Sequence, residues 1–357
     1  MIYHNEASPY FPAATKAVKA EPGSFRFGAA YAAHPHLFGQ AQSLIDAGGE
    51  LAVIYDDNPE LLAALTQRFP QATVARSEAE LLEFPGLHLI TAAGVPSERA
   101  AFGHRVMRAS KDYFVDKCPF TTLEQLVATE KVVAETGRLH SVYFGERLHT
   151  ESGWYLGELA RKGVFGQLIH CAIMGPHKLG TTPRPDWFFQ KAKTGGILTD
   201  ICSHQFDQFI DLAGCTEGEV LHARVDNLAN PDKPEFEDFG EAILKMANGM
   251  SCHSRVDWFT PTALPTFGDG RTFLVGTKAS AEARKYIDPA NGHGEILIIV
   301  DDQGEHRLDL KGKIGFPFFY QLIADCLNRT EHSLPMKQSF AAARLSLLAQ
   351  QMADRQR

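Results

Sequence analysis

Short apolar runs alternate with helical periodicity along residues 25–145, each run bounded by glycine, proline or a polar cluster. SFRFGAA (24–30) predicts a strand, and PHLFGQAQSLIDAGG behind it a helix stopped by Gly48-Gly49. ELAVIYDDN is a second strand of β-branched and apolar residues, and PELLAALTQRF a helix with Pro59 in its first turn. ATVA, LHLITAAG and DYFVDK read as further strands, separated by helices at 78–83 and 97–109. TTLEQLVATEKVVAETG has a threonine cap, a helical apolar period and a closing glycine. Strand and helix in alternation predict a parallel, doubly wound α/β sheet.

Beyond about residue 150 the pattern changes. Long strand candidates follow one another: QLIHCAIMG, EVLHARVDNLA, FGEAILKMANGMSCHSRVDWF, RTFLVGTKASAEARKYI and EILIIVDDQGEHRLDL. The third contains Asn248-Gly249 between alternating runs, a strong hairpin signal, and Asp302-Gln303-Gly304 marks another turn. We expect an antiparallel meander here, hence an α+β domain with a large, mostly antiparallel open sheet. PFFYQLIADCLN and SFAAARLSLLAQQMADRQR return to helix. The predicted organisation is an irregular arm (1–24), a Rossmann dinucleotide-binding domain (25–148), a substrate and oligomerisation domain (149–335) and a C-terminal helix (336–357) packing back on the Rossmann domain.

At 357 residues, with 44% hydrophobic and 22% charged positions, the chain has the size and composition of a folded two-domain protein. A net charge of −8 disfavours a nucleic-acid partner. No apolar run approaches the roughly 20 residues that span a bilayer, and the first residues carry no apolar core of a signal peptide. The six cysteines are widely spaced with no Cys-x-x-Cys, which suits a reducing cytoplasm.

Three stretches could carry chemistry. FGAAYAAHPHLFG (27–39) sits where a nucleotide-binding loop would lie, and G-x-G-x-x-G spacing maps onto Gly28, Ala30 and Ala33. Asp56 closes the second strand, where an acid would hydrogen-bond the adenosine ribose; no arginine follows to receive a 2′-phosphate, so NAD is favoured over NADP. Asp56 could equally open the turn before the next helix. His34 and His36 could chelate a metal, but no third ligand with recognisable spacing appears, so no metal is assigned. They are expected instead at the cofactor, together with Ala93 at the end of LITAA. In DYFVDKCPF (112–120), Lys117 ends a parallel strand, where a lysine meets the ligand crevice or simply solvent. In GGILTDICSHQFDQFID (195–211), Asp200 and His204 are four apart on a helix predicted to begin near Thr199. A carboxylate beside an imidazole serves proton transfer; a solvated helix face is the competing explanation.

Together these stretches resemble the Gfo/Idh/MocA family of NAD(P)-dependent oxidoreductases. Asp116-Lys117-Cys118 is similar to the family's Glu-Lys-Pro, with the proline displaced to Pro119. Gly195, Gly196, Asp200 and His204 match its Gly-Gly-x-x-x-Asp-x-x-x-His signature in full. The departures are Ala30 and Ala33, whose Cβ atoms stand where glycines let pyrophosphate approach, and a longer loop into the first helix.

The resemblance implies an enzyme that transfers a hydride between a nicotinamide cofactor and a CH–OH or C=O group of a sugar, inositol or sugar acid. Lys117 would hydrogen-bond the reacting oxygen, His204 accept its proton and Asp200 orient the imidazole or hold a neighbouring hydroxyl; Lys117 as the acceptor stays open. Arg147, His177, Arg184 and Trp187 are the expected substrate contacts. A homodimer or homotetramer through the C-terminal sheet is expected. Two rival readings are a glycoside hydrolase that uses NAD without net redox change, and an inactive nucleotide-sensing or interaction protein.

Overall fold

The first strand, β1 (Ile2–His4), forms in a stretch expected to be irregular and joins the larger of two sheets. The computed structural model describes every residue except 14–17, 181–182, 291 and 357. The chain divides into two units. One comprises Lys16–Tyr143 and Pro317–Phe340; the other comprises Met1–Thr15, Phe144–Phe316 and Ala341–Arg357.

The alternating pattern folds as β2 (Arg26–Ala30), α1 (His36–Asp46), β3 (Glu50–Tyr55), α2 (Pro59–Arg68), β4 (Thr73–Val74), α3 (Glu78–Glu83), β5 (Leu89–Ala92), α4 (Pro96–Arg108), β6 (Asp112–Asp116), α5 (Leu123–Thr136) and β7 (His140–Tyr143). The strands run in the order β4-β3-β2-β5-β6-β7, all in parallel. The chain order reverses between β2 and β5, and the crevice outside the carboxyl ends at such a switch point is where doubly wound sheets bind ligands. The predicted threonine cap and closing glycine of α5 are realised, Thr122 accepting a backbone N–H and Gly137 ending the helix at φ +62°; Asn58 and Ser77 accept backbone N–H bonds at the starts of α2 and α3 as well. The core holds Phe27, Val53, Ile54, Ile90, Phe114 and Val115, all buried. β7 was not foreseen: four buried residues with no polar alternation offer no periodicity to read.

The second region continues with α6 (Gly145–Leu148), α7 (Glu151–Arg161), β8 (Leu168–Pro176), α8 (Lys191–Thr194), α9 (Ile197–Asp200), α10 (Ser203–Ala213), β9 (Gly218–Asp226), β10 (Phe239–Met246), β11 (Ser251–Asp257), β12 (Arg271–Gly276), β13 (Ala279–Arg284), β14 (Ile296–Asp301) and β15 (Gly304–Asp309). Among the described residues these strands form a nine-stranded sheet in the order β1-β15-β14-β13-β12-β8-β11-β10-β9. The expected meander is corrected in one place: β8 inserts between β12 and β11 and runs parallel to β11. The Asn248-Gly249 hairpin forms between β10 and β11, with Gly249 at φ +92°. Helices α7, α9 and α10 pack on one face of the sheet. On the other face Ile243, Phe273, Val275 and Val300 remain exposed.

Two helices close the chain, α11 (Pro317–Asn328) and α12 (Met336–Asp354). α11 packs Phe318 against Phe114 of β6, with ring centroids 5.6 Å apart. α12 divides between the units: Phe340 stacks on Phe120 and His140, whereas Gln350 and Asp354 bond to Glu237 and Lys191. Among the described residues no helix is long and apolar enough to cross a membrane.

Candidate active site

At the carboxyl edge of the parallel sheet, the loop from β2 to α1 is tied to its neighbours by backbone bonds. Tyr31 N–H donates to Tyr55 O (3.2 Å), Ala93 N–H to Tyr31 O (3.1 Å) and His34 N–H to Ala93 O (2.8 Å). Ala93 thus lies against the loop. Tyr31 takes φ +58°, the left-handed region where glycine is usual. Its ring sits edge-on to Tyr55 and Phe102, and its hydroxyl donates to Glu78 (2.5 Å), so packing and a charged acceptor hold a bulky residue there. The altered loop therefore places its turn at Tyr31, a position that no glycine marks.

Gly28 has a different role from the one its spacing suggested. It lies inside β2, and a Cβ there would stand 3.1 Å from Leu81 Cδ1 and 3.3 Å from Val53 Cγ1, so its smallness serves core packing. Ala30 is the last residue of β2 and fully buried, and Ala33 is half-buried in the loop. Asp56 is buried at the end of β3; its carboxylate accepts N–H bonds from Ala32 (2.7 Å) and Asn58 (2.9 Å). It does open the turn, as the simpler reading held, and it also ties that turn to the β2–α1 loop. Burial raises its carboxyl, and the two amides partly offset the shift. Asp57 beside it is exposed.

Asp116, at the end of β6, is fully buried at the centre of a cluster. His36 Nδ1 lies 2.8 Å and His34 Nδ1 3.4 Å from its oxygens, and the Arg99 Nη2 lies at 3.2 Å. Burial alone would raise this carboxyl; His36, His34 and Arg99 outweigh it and hold the group far below the usual range. Burial and the neighbouring cations push His34 down. The third donor missing beside His34 and His36 is thus supplied by a residue 80 positions away, and the three ligand atoms lie within 4.8 Å of one another. This set could hold a metal, but its present order is that of hydrogen bonding. Arg99 already balances the acid, and His36 Nδ1 must carry a proton to bond the carboxylate. His34 Nδ1 accepts the His36 backbone N–H at the start of α1 (3.2 Å).

Lys117 follows directly and is buried; the peptide bond to Cys118 is cis. The Arg99 guanidinium donates to the carbonyls of Asp116 (3.3 Å), Lys117 and Cys118 (3.1 Å), which fixes the backbone that carries the lysine. Arg99 was not singled out from the sequence. Its signal was positional: in α4 it shares the buried face with Phe102, Gly103 and Val106.

In the large-sheet unit, Gly195 (φ +83°) and Gly196 (φ +89°) turn the chain into α9, whose first amides donate to Glu237 (2.9 Å) and Gln350 (3.0 Å). The expected single helix is two: Asp200 ends α9 and His204 is the second residue of α10. Ser203–Ile210 are all buried, which removes the solvated-face explanation for His204. Asp200 lines a shallow recess with Phe188, Phe236, Trp258, Glu235 and Glu237.

Arg184 and His177 approach the same tryptophan. The Arg184 guanidinium stacks 4.9 Å from Phe188 and 5.5 Å from Trp258, and the His177 ring lies 5.5 Å from Trp258. Trp187 is half-buried against Phe188 and lies outside the recess lining, whereas Trp258, unremarked in the sequence, lines it. Arg147 is also corrected. It is buried, its guanidinium bonds Asp207 through two nitrogens (2.6 and 2.9 Å) and Asp211 through a third (3.4 Å), and its charge is spent within the fold.

Lys117 thus follows the last residue of β6 in one unit, while Asp200, at the aromatic recess, and buried His204 lie in the other. Residues 155–282 match the family model of the GFO/IDH/MocA C-terminal domain. The chain is 41% identical to a protein provisionally named an oxidoreductase, from Erwinia carotovora atroseptica SCRI1043. The superposition covers 92% of this chain and 99% of that one, at a TM-score of 0.90. A levoglucosan dehydrogenase of Pseudarthrobacter phenanthrenivorans is 26% identical over 64% of this chain, and the chain spans 57% of that curated relative's length. A solved levoglucosan dehydrogenase, in complex with NADH and levoglucosan, shares the fold at a TM-score of 0.80 and 15% identity, covering 93% of this chain and 98% of that one. With fold, signature residues and a near full-length relative in agreement, the chain belongs to the Gfo/Idh/MocA family of oxidoreductases.

Proposed function

We propose that this protein is a nicotinamide-dependent dehydrogenase that moves a hydride between NAD(H) and a CH–OH or C=O group of a sugar or polyol. The observation that carries this reading is the recess in the large-sheet unit: a carboxylate four residues from a buried histidine, set beside aromatic faces and further acids. Aromatic faces cover the apolar side of a sugar ring, and carboxylates accept from its hydroxyls.

A bound nicotinamide dinucleotide supplies the hydride acceptor. His34, His36, Ala30, Ala33 and Ala93 would hold it at the carboxyl edge. Asp56 and exposed Asp57 favour ribose hydroxyls and repel a 2′-phosphate, hence NAD over NADP. Lys117 Nζ would hydrogen-bond the reacting oxygen, and His204 would accept its proton while Asp200 holds a neighbouring hydroxyl.

A neutral sugar is favoured over a sugar acid. Arg147 is spent on Asp207, Lys178 Nζ is taken by the carbonyls of Thr262 (3.1 Å) and Leu264 (2.5 Å), Arg184 donates to those of Leu179 (2.9 Å) and Lys178 (3.2 Å), and Lys191 pairs with Glu237 of the acid-lined recess. The name of the levoglucosan dehydrogenase relative supports the same choice. The exposed apolar row of Ile243, Phe273, Val275 and Val300 supports self-association through the open sheet face. The widely spaced cysteines, none in a disulfide among the described residues, suit the cytoplasm.

The test is a fluorescence titration with NADH and NADPH, then a screen of neutral sugars, polyols and sugar acids for growth of the reduced-nicotinamide band, on protein sized by sedimentation. NADH should bind at least about 10-fold more tightly than NADPH, a difference of about 1.4 kcal/mol, and neutral sugars should turn over in an oligomer. Binding of neither dinucleotide would reject the reading, and product without NADH would turn it towards hydrolysis.

A further inference from the structure

Glu146, in the short helix α6, is 3% exposed, and its two oxygens are treated very differently. Oε2 accepts from Lys285 Nζ (2.9 Å) and Gln205 Nε2 (2.8 Å). Lys285 is itself 1% exposed and also donates to Gln208 Oε1 (3.2 Å), while Gln208 Nε2 donates to the His204 carbonyl (3.1 Å). Oε1 is equally buried and accepts no hydrogen bond. His177 Nε2 lies 4.0 Å from it.

A buried ion pair that served the fold alone would be expected to satisfy all of its acceptors, because an open buried carboxylate oxygen costs stability. The open oxygen instead faces imidazoles. His177 Nδ1 lies 3.0 Å from the Gly175 carbonyl, which can only accept, so Nδ1 carries a proton and Nε2 is the atom turned to Glu146. In neutral His177 that atom is a lone pair facing a carboxylate; in the imidazolium it is a donor. The charged and titratable groups that act on the Glu146 carboxylate are Lys285 just beyond β13, His204 from α10 and His177 just beyond β8. The Cys202 thiol beside Glu146 and the Cys171 thiol beside Lys285 are pushed up by burial and stay neutral. Burial would raise the Glu146 carboxyl, but Lys285, then the two histidines, outweigh it and hold the group at about 2, so it is ionised throughout the working range.

We propose that Glu146, held in place by Lys285, is a positioning residue that stabilises the protonated imidazoles of His177 and His204. Lys285, bonded to the same carboxylate, offsets part of its field at both rings. Asp200, at the recess, is then left to the substrate. The role bears on turnover only under the dehydrogenase reading above, but its electrostatic signature exists without cofactor or sugar.

The experiment follows histidine ring resonances of the full chain by NMR across pH, with no dinucleotide or substrate present, assigned through His177→Asn and His204→Asn. In Glu146→Gln, whose amide oxygen can still accept from Lys285, the midpoints of both histidines should fall by about one pH unit, a tenfold change in proton affinity. In Lys285→Met, which leaves the carboxylate uncompensated, they should rise. Unchanged midpoints in either folded variant overturn the proposal. So does loss of fold in both, read by near-ultraviolet circular dichroism, which would assign the pair to folding alone. Under the dehydrogenase reading, the acid limb of kcat/KM for sugar oxidation should move to lower pH in Glu146→Gln. An NMR shift without any sugar oxidation would contradict that reading and leave the Glu146 role standing.

Discussion

Arg147 shows how a single residue can carry a plausible chemistry in the sequence and a different one in the fold. Its place at the junction of the two halves and its guanidinium both suited a substrate anion. In the structure Asp207 and Asp211 engage that guanidinium, and both come from α10, some 60 positions on. Removing one partner of a buried pair leaves the other charge uncompensated, at a cost of about 3–5 kcal/mol. Arg147→Met should therefore lower the urea midpoint by that equivalent; a variant as stable as wild type would return Arg147 to the substrate. The motif residues Lys117, Asp200 and His204 were legible because their spacing is local. Arg99, Glu146, Lys285 and Trp258 were not, because each acquires its role from partners far along the chain.

Elements were legible where a period and a stop signal coincided. Helices α2, α3 and α5 begin at Asn58, Ser77 and Thr122 because those side chains accept the first free amides. β7 and β1 escaped: a four-residue buried strand and a three-residue edge strand are too short to show a period. The inserted position of β8 escaped for another reason. Strand order depends on which apolar faces meet, and residue pattern alone does not specify the partner.

The turn into α9 carries a sharper test at this scale. Gly196 sits at φ +89°, and a Cβ there would lie 2.4 Å from Gln350 Cδ, the side chain that caps Leu198 from α12. Gly196→Ala should cost about 1–3 kcal/mol through strain and loss of that cap, seen as a lower melting temperature. No change would mean that the glycine pair is not needed for the turn that presents Asp200.

For the whole molecule, the two-part organisation was readable from the switch between alternating strand–helix pattern and successive strands. The division of α12 between units was not, since its amphipathic pattern gives no sign of which unit each turn joins. The functional account requires parts from both units: Lys117 with the dinucleotide edge in one, Asp200 and His204 with the recess in the other. Replacing Lys117 or His204 by alanine should each lower turnover at least about 100-fold, the scale of general acid–base assistance.

The most direct measurement is isotopic. The full chain is incubated with NAD and a neutral sugar deuterated at its oxidisable carbon, and the nicotinamide is examined by NMR. Deuterium at nicotinamide C4, on one face only, at a rate that falls about 100-fold in His204→Ala, is the predicted result. A protein that binds NAD yet leaves C4 unlabelled with every sugar and polyol tested would contradict the account.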